Sequence, residues 1–112
     1  MIYAIIGGRD FDNYTYVKEV MSRYDDVTGI VSGGAKGADS LGAKYAFDND
    51  LKLITHLPDW DKYGRGAGFV RNKLIIDDAD FVVAFWDGKS KGTKNSIDLA
   101  KKQNKPIEVW SY

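Results

Sequence analysis

The sequence predicts a three-layer α/β fold, a mostly parallel five-stranded sheet with helices on both faces. Five short apolar runs alternate with four stretches of helical periodicity, and neither linker, repeat nor low-complexity tract breaks the alternation. The runs are continuous, β-branched or aromatic, and bounded by Gly, Asp or Pro, as suits strands covered on both faces. Alternating strands and helices call for parallel pairing with right-handed crossovers.

Ile2, Tyr3, Ala4, Ile5 and Ile6 form the first run and end at Gly7-Gly8. Val17, Val20, Met21 and Tyr24 then recur at helical spacing, predicting a first helix. Residues 29–31 read as the second strand. Ala38, Leu41, Gly42, Tyr45 and Ala46 repeat the helical spacing, and residues 51–54 read as the third strand. Residues 58–65, with Asp59, Trp60, Asp61, Lys62, Tyr63 and Gly64, show no periodicity and are expected to be an irregular ligand lid. A helix over about 66–78 is predicted to turn Val70 and Leu74 inward. Residues 81–86 are the fourth strand, residues 93–104 a helix burying Ile97 and Ala100, and residues 107–110, after Pro106, the last strand.

A chain of 112 residues is expected to fill one core, hence a single domain over 1–112. Lys+Arg and Asp+Glu both number 16. That balance provides no overall positive field, which argues against nucleic acid as a partner and against an anionic membrane surface. The chain has no cysteine and one histidine, His56, so no metal site and no cofactor are expected. The first apolar run is too short for a signal peptide and no run is long enough to span a bilayer, which predicts a cytoplasmic protein with no membrane partner. The 13% aromatic content leaves room for a homo-oligomer.

In open α/β sheets the ligand crevice lies outside the carboxyl ends of the strands, where strand order reverses. The candidate site residues sit at such ends. Gly7 and Gly8 allow close backbone approach, and Arg9 either holds phosphate bidentately or pairs at the surface with Asp10 or Asp12. Ser32, Gly33, Gly34, Ala35, Lys36, Gly37, Ala38 and Asp39 run from a strand into a helix, where free N–H groups and the positive helix end make an anion site. The run is neither GxGxxG nor a P-loop. Lys36 would orient phosphate; Asp39 would bind ribose hydroxyls or only complement the helix dipole. Gly88, Lys91, Gly92 and Thr93 after the fourth strand read as a second, facing anion site, with Trp86 stacking on a base or packing under the loop. Arg71 and Asn72 lie on the third helix, Arg71 as a phosphate clamp or a solvated residue. Trp60, Tyr63 and Trp86 could also serve as a stacking set for a single strand, the reading ranked last.

The stretch 6–11, the stretch 32–39, Trp60, Gly68, Arg71-Asn72 and Gly92-Thr93 together resemble the SLOG superfamily of Rossmann-like domains, in particular its small YspA-like branch. The resemblance implies a Rossmann-like fold and a nucleotide-type ligand. Its relatives include cytokinin-activating phosphoribohydrolases, DNA-processing proteins of bacterial transformation, and sensors of ADP-ribose-like signals in antiphage defence. The phosphoribohydrolase loop ends Gly-Thr-x-x-Glu with a catalytic Glu, whereas here Gly92-Thr93 is followed by Ser96 at that position. A hydroxyl cannot replace that carboxylate in proton transfer or oxocarbenium stabilisation, so no catalytic residue is assigned and N-glycosidic hydrolysis is the alternative. The expected function is binding, by sensing or sequestration, of an ADP-ribose-like or cyclic ADP-ribose-like small molecule in a bacterial or phage setting.

Overall fold

Apolar side chains on both faces drive a strand to the middle of a sheet. In the computed structural model, which describes residues 1–112, β1 (Ile2–Gly7) takes that place. β2 (Gly29–Ser32) and β3 (Lys52–Thr55) lie on one side of it, β4 (Phe81–Trp86) and β5 (Ile107–Ser111) on the other, in the order β3-β2-β1-β4-β5. Every neighbouring pair is parallel, so the sheet expected to be mostly parallel is wholly so.

The two-residue period of the strands divides the core. Tyr3, Ile5, Ile30, Val83 and Phe85 pack on one face beneath α1 (Tyr14–Met21) and α2 (Ala38–Asp48). Ala4, Ile6, Val31, Val82 and Ala84 face the other way. A four-residue helix, α3 (Trp60–Tyr63), and a 3-10 turn, Gly64–Gly66, lead into α4 (Ala67–Asp78), which with α5 (Lys91–Lys102) covers this second face. No helix is long and apolar enough to cross a membrane.

Local chemistry sets the helix ends. Asn13 caps α1, its side chain accepting from the Tyr16 amide at 3.0 Å, and α1 stops at Met21, before Tyr24. Tyr24 still packs against Phe81 and donates its hydroxyl to Glu108 at 2.7 Å. The inward stripe of α2 is Ala38, Gly42 and Ala46, with Leu41 and Tyr45 only partly buried beside it. These small residues let α2 lie against β1: a side chain on Gly42 would begin 3.0 Å from the Ile5 Cβ.

Four expectations change. Residues 58–65 are not irregular, because Asp59 accepts from the Lys62 amide at 3.1 Å and nucleates α3. α4 turns Ala67, Arg71 and Ile75 inward, leaving Val70 half-buried and Leu74 exposed. β3 and β5, expected to be buried, are half-exposed sheet edges, with Leu53 and Val109 open to solvent. Finally, α5 begins two residues earlier than expected, at Lys91, because Ser90 caps it.

Three tyrosines tie the α1 face together by donating to carboxylates: Tyr3 to Asp26, Tyr14 to Asp48 and Tyr24 to Glu108. Burial first, and then these hydrogen bonds, push Tyr14 and Tyr24 up to about 12 from an ordinary 10.0 and Tyr3 higher still. A raised phenol means that the fold favours the neutral form. The stabilisation is therefore complete below pH 10 and lost as pH climbs toward 12 and beyond. Urea midpoints and phenolate absorbance measured over that range should show a falling midpoint with late ionisation. A constant midpoint with all phenols titrating near 10 contradicts this.

Candidate functional site

The chain steps from β1 outward to β2 and β3, then returns to the far side of β1 as β4, so strand order reverses between β1 and β4. Their carboxyl ends are aligned by the pairing of Gly7 with Phe85, and the crevice opens there. It has a volume of about 440 Å³ and is lined by Gly7, Gly8, Arg9, Asp10, Ala35, Asp39, Arg71, Asn72, Asp87, Ser90, Gly92, Thr93 and Ser96, with Ile6 and Ile75 below. A second crevice of about 380 Å³ shares Arg9, Ala35 and Arg71 and adds Gly33, Gly34, Lys36, Pro58 and Trp60.

The β1–α1 loop is anchored at both ends of its turn. The Gly8 carbonyl accepts from the Ala38 amide at 3.2 Å and the Phe11 amide at 3.3 Å. Phe11 is stacked on Phe85 with centroids 4.7 Å apart. With Phe11 turned in, Arg9 and Asp10 are left exposed at the mouth. Asp10 accepts from the Tyr112 hydroxyl at 2.7 Å, and neither Asp10 nor Asp12 pairs with Arg9, so the surface-pair alternative for that arginine does not hold.

The β2–α2 loop is wound around Asp39. Its carboxylate accepts from the Ala35 amide at 3.3 Å, and its carbonyl accepts from the Ser32 hydroxyl at 3.1 Å. Burial raises the Asp39 carboxyl above its ordinary value, and the Arg71 charge with the Ala35 and Gly33 amides pulls it back. Asp39 thus holds the loop besides facing the crevice, which exceeds the helix-dipole role. The Lys36 and Gly37 amides have no partner within the chain, and Gly37 caps α2 without a side chain, so the loop keeps the free donors of an anion cradle.

Arg71 departs furthest from expectation. It is only 9% exposed, donating Nη1 to the Gly33 carbonyl at 2.7 Å and Nε to the Asn72 side chain at 3.1 Å. It is a buried strut between α4 and the β2–α2 loop, not a solvated helix residue. Its guanidinium still borders both crevices.

The loop after β4, expected to be a second anion site, carries a carboxylate of its own, while the Lys91 and Gly92 amides at the start of α5 have no partner within the chain. Asp87 Oδ1 accepts from the Lys89 amide at 2.8 Å and the Ser90 amide at 2.9 Å, and the Ser90 hydroxyl accepts from the Thr93 amide. Those amides hold the Asp87 carboxyl below its ordinary value. A carboxylate therefore shares this loop with the free amides at the start of α5. Trp86 packs on the core and donates Nε1 to the Ser90 carbonyl at 3.1 Å, the packing alternative, and Gly88 and Lys91 line neither crevice. Ser32, Gly37 and Ala38 likewise belong to the loop framework. Sequence reading missed Asp10 and Asp87 as lining residues; Ser96, noted only as a replaced Glu, joins them in the crevice wall.

A model of the YspA, cpYpsA-related SLOG family matches residues 1–63, more than half of the chain. The chain belongs to that family. This SLOG protein is 32% identical over 84 residues to the Gene 61 protein of Mycobacterium phage D29, covering 70% of this chain and 67% of that one. It superposes with a TM-score of 0.75 and 25% identity on DNA processing protein A from Helicobacter pylori, a structure that concerns a single-stranded DNA binding mode. The match takes in 97% of this chain but 64% of that one, so this chain spans under two thirds of the solved neighbour's length.

These matches correct the functional expectation. None points to an ADP-ribose-like ligand, and a neighbour that binds single-stranded DNA overturns the exclusion of nucleic acid and favours the reading ranked last. The error has a physical cause. Net charge over the whole chain averages away the local clustering of Arg9, Lys36 and Arg71, and it is local potential that a strand meets.

Proposed function

We propose that this SLOG protein, as one domain, binds single-stranded DNA at the carboxyl end of its sheet. The observation that carries the reading is the smaller crevice, where Arg9, Lys36 and Arg71 converge with no acid among the lining residues beside Trp60, 53% exposed. Cations that track phosphates next to an aromatic face on which a base can stack are the two parts a single-strand site needs. The free Lys36 and Gly37 amides add donors for a phosphate oxygen. Exposed Leu57, Tyr63 and Phe69 extend the apolar surface along α3 and the start of α4.

Fluorescence anisotropy with a labelled single strand and the matching duplex tests the reading. Neutralising about three phosphates predicts a salt slope of roughly −2 for a single strand. Trp60→Ala should cost about 1–3 kcal/mol, and Lys36→Ala should reduce the slope by about 0.7 to 1. Equal affinity for duplex and single strand, or a Trp60→Ala variant that binds like wild type, contradicts the proposal.

A further inference from the structure

The two crevices share Arg9 and Arg71 yet differ in character. The larger adds Asp10, Asp39 and Asp87; the smaller adds Lys36 and no acid. In the larger one, the second carboxylate oxygen of Asp87 and that of Asp10 remain without a partner in the chain, since the Lys89 and Ser90 amides and the Tyr112 hydroxyl all use Oδ1. A separate observation points to a ligand in the same place. Ser96, 4% exposed and lining this crevice from α5, makes no side-chain hydrogen bond. Its hydroxyl opens onto the cleft, since the buried side-chain polar atom left without a partner is Trp110 Nε1, so Ser96 is free to donate to a ligand there.

Carboxylates repel phosphate, so the strand's backbone belongs in the smaller crevice. What acceptor-only groups take is N–H donors, and on a single strand these lie on the Watson–Crick edges of the bases. Guanine presents N1–H and the 2-amino group side by side, two donors for the two free carboxylate oxygens. Cytosine and adenine each offer one amino group, and thymine a lone N3–H between two carbonyls.

We infer that the larger crevice selects an unstacked guanine of the bound strand, whose N1–H and 2-amino groups donate to the Asp87 and Asp10 carboxylates while Ser96 donates to O6. The inference rests on the strand-binding reading and deepens it to a base preference.

The test compares a labelled oligothymidine with the same oligomer carrying one central guanine, cytosine, adenine or hypoxanthine, the last lacking the 2-amino group. Guanine should tighten binding about tenfold over thymine, the scale of one good bidentate base contact, with hypoxanthine losing most of the gain. Asp10→Asn combined with Asp87→Asn keeps the Oδ1 acceptors that hold the two loops and removes both charges, so it should erase the guanine preference while leaving oligothymidine bound. Equal binding of all five oligomers, or a preference that survives in the double variant, overturns the base selectivity and leaves strand binding standing. Binding of none of them overturns both.

Discussion

Arg71→Ala is expected to lower both stability and binding. The fold should lose about 2–3 kcal/mol, because the buried Gly33 carbonyl loses a charged donor at 2.7 Å and Asp39 loses the positive charge that offsets its burial. For a chain of this length that is a fall in Tm on the order of 10 °C. Affinity for a single strand should fall roughly 10-fold to 100-fold, the range for losing a charge-assisted bond. The deficit in stability should depend on pH. Without Arg71 the Asp39 carboxyl rises further, and a buried acid with a raised value costs the fold only while it is ionised. The gap to wild type should therefore narrow as pH falls toward the ordinary carboxylate value of 3.8. Arg71→Lys should restore part of the affinity but little of the strut, since an ammonium keeps the charge and not the planar fork. A variant that melts like wild type would return Arg71 to the solvated helix surface.

Gly37→Ala should be the most damaging single methyl in the chain. Gly37 has φ of 78° and ψ of −131°, a conformation open essentially to glycine alone. The added carbon would run into the Gly8 carbonyl oxygen and come within 2.6 Å of the Arg9 backbone. Backbone on that side is pinned by the Gly8 hydrogen bonds to Ala38 and Phe11, so it cannot yield as a flexible side chain would. A loss of about 3 kcal/mol or more follows from strain and overpacking together. Gly68→Ala is the control: it lies in α4 with nothing within 4 Å of the new carbon, and should be neutral or stabilising by up to about 1 kcal/mol. Urea denaturation of the pair checks both, and equal midpoints contradict the account of the β1–α1 and β2–α2 loops.

The central strands were legible because two-faced burial leaves an uninterrupted apolar run, as in residues 2–6 and 81–86. The edge strands gave the same run without the burial, since β5 carries Glu108 outward and still pairs along β4. Helical periodicity located α4 but misjudged its orientation. Reading by polarity turns arginine outward, whereas Arg71 points in to reach a backbone carbonyl and so rotates Val70 and Leu74 away. The glycine loop after β2 was legible as a donor-rich turn. The loop after β4 looked equivalent, yet Asp87 is an acceptor at the right spacing to claim its own loop amides. A sequence shows that acid and those amides without showing that they meet.

A short single strand titrated into isotopically labelled protein, followed by two-dimensional amide NMR, tests the placement of the strand most directly. The largest shifts are expected on Arg9, the amides of residues 33–37, the Trp60 indole and the Arg71 side chain, around the two crevices. Shifts concentrated on the exposed β5 edge or at the amino ends of the strands, with these residues unmoved, would contradict it.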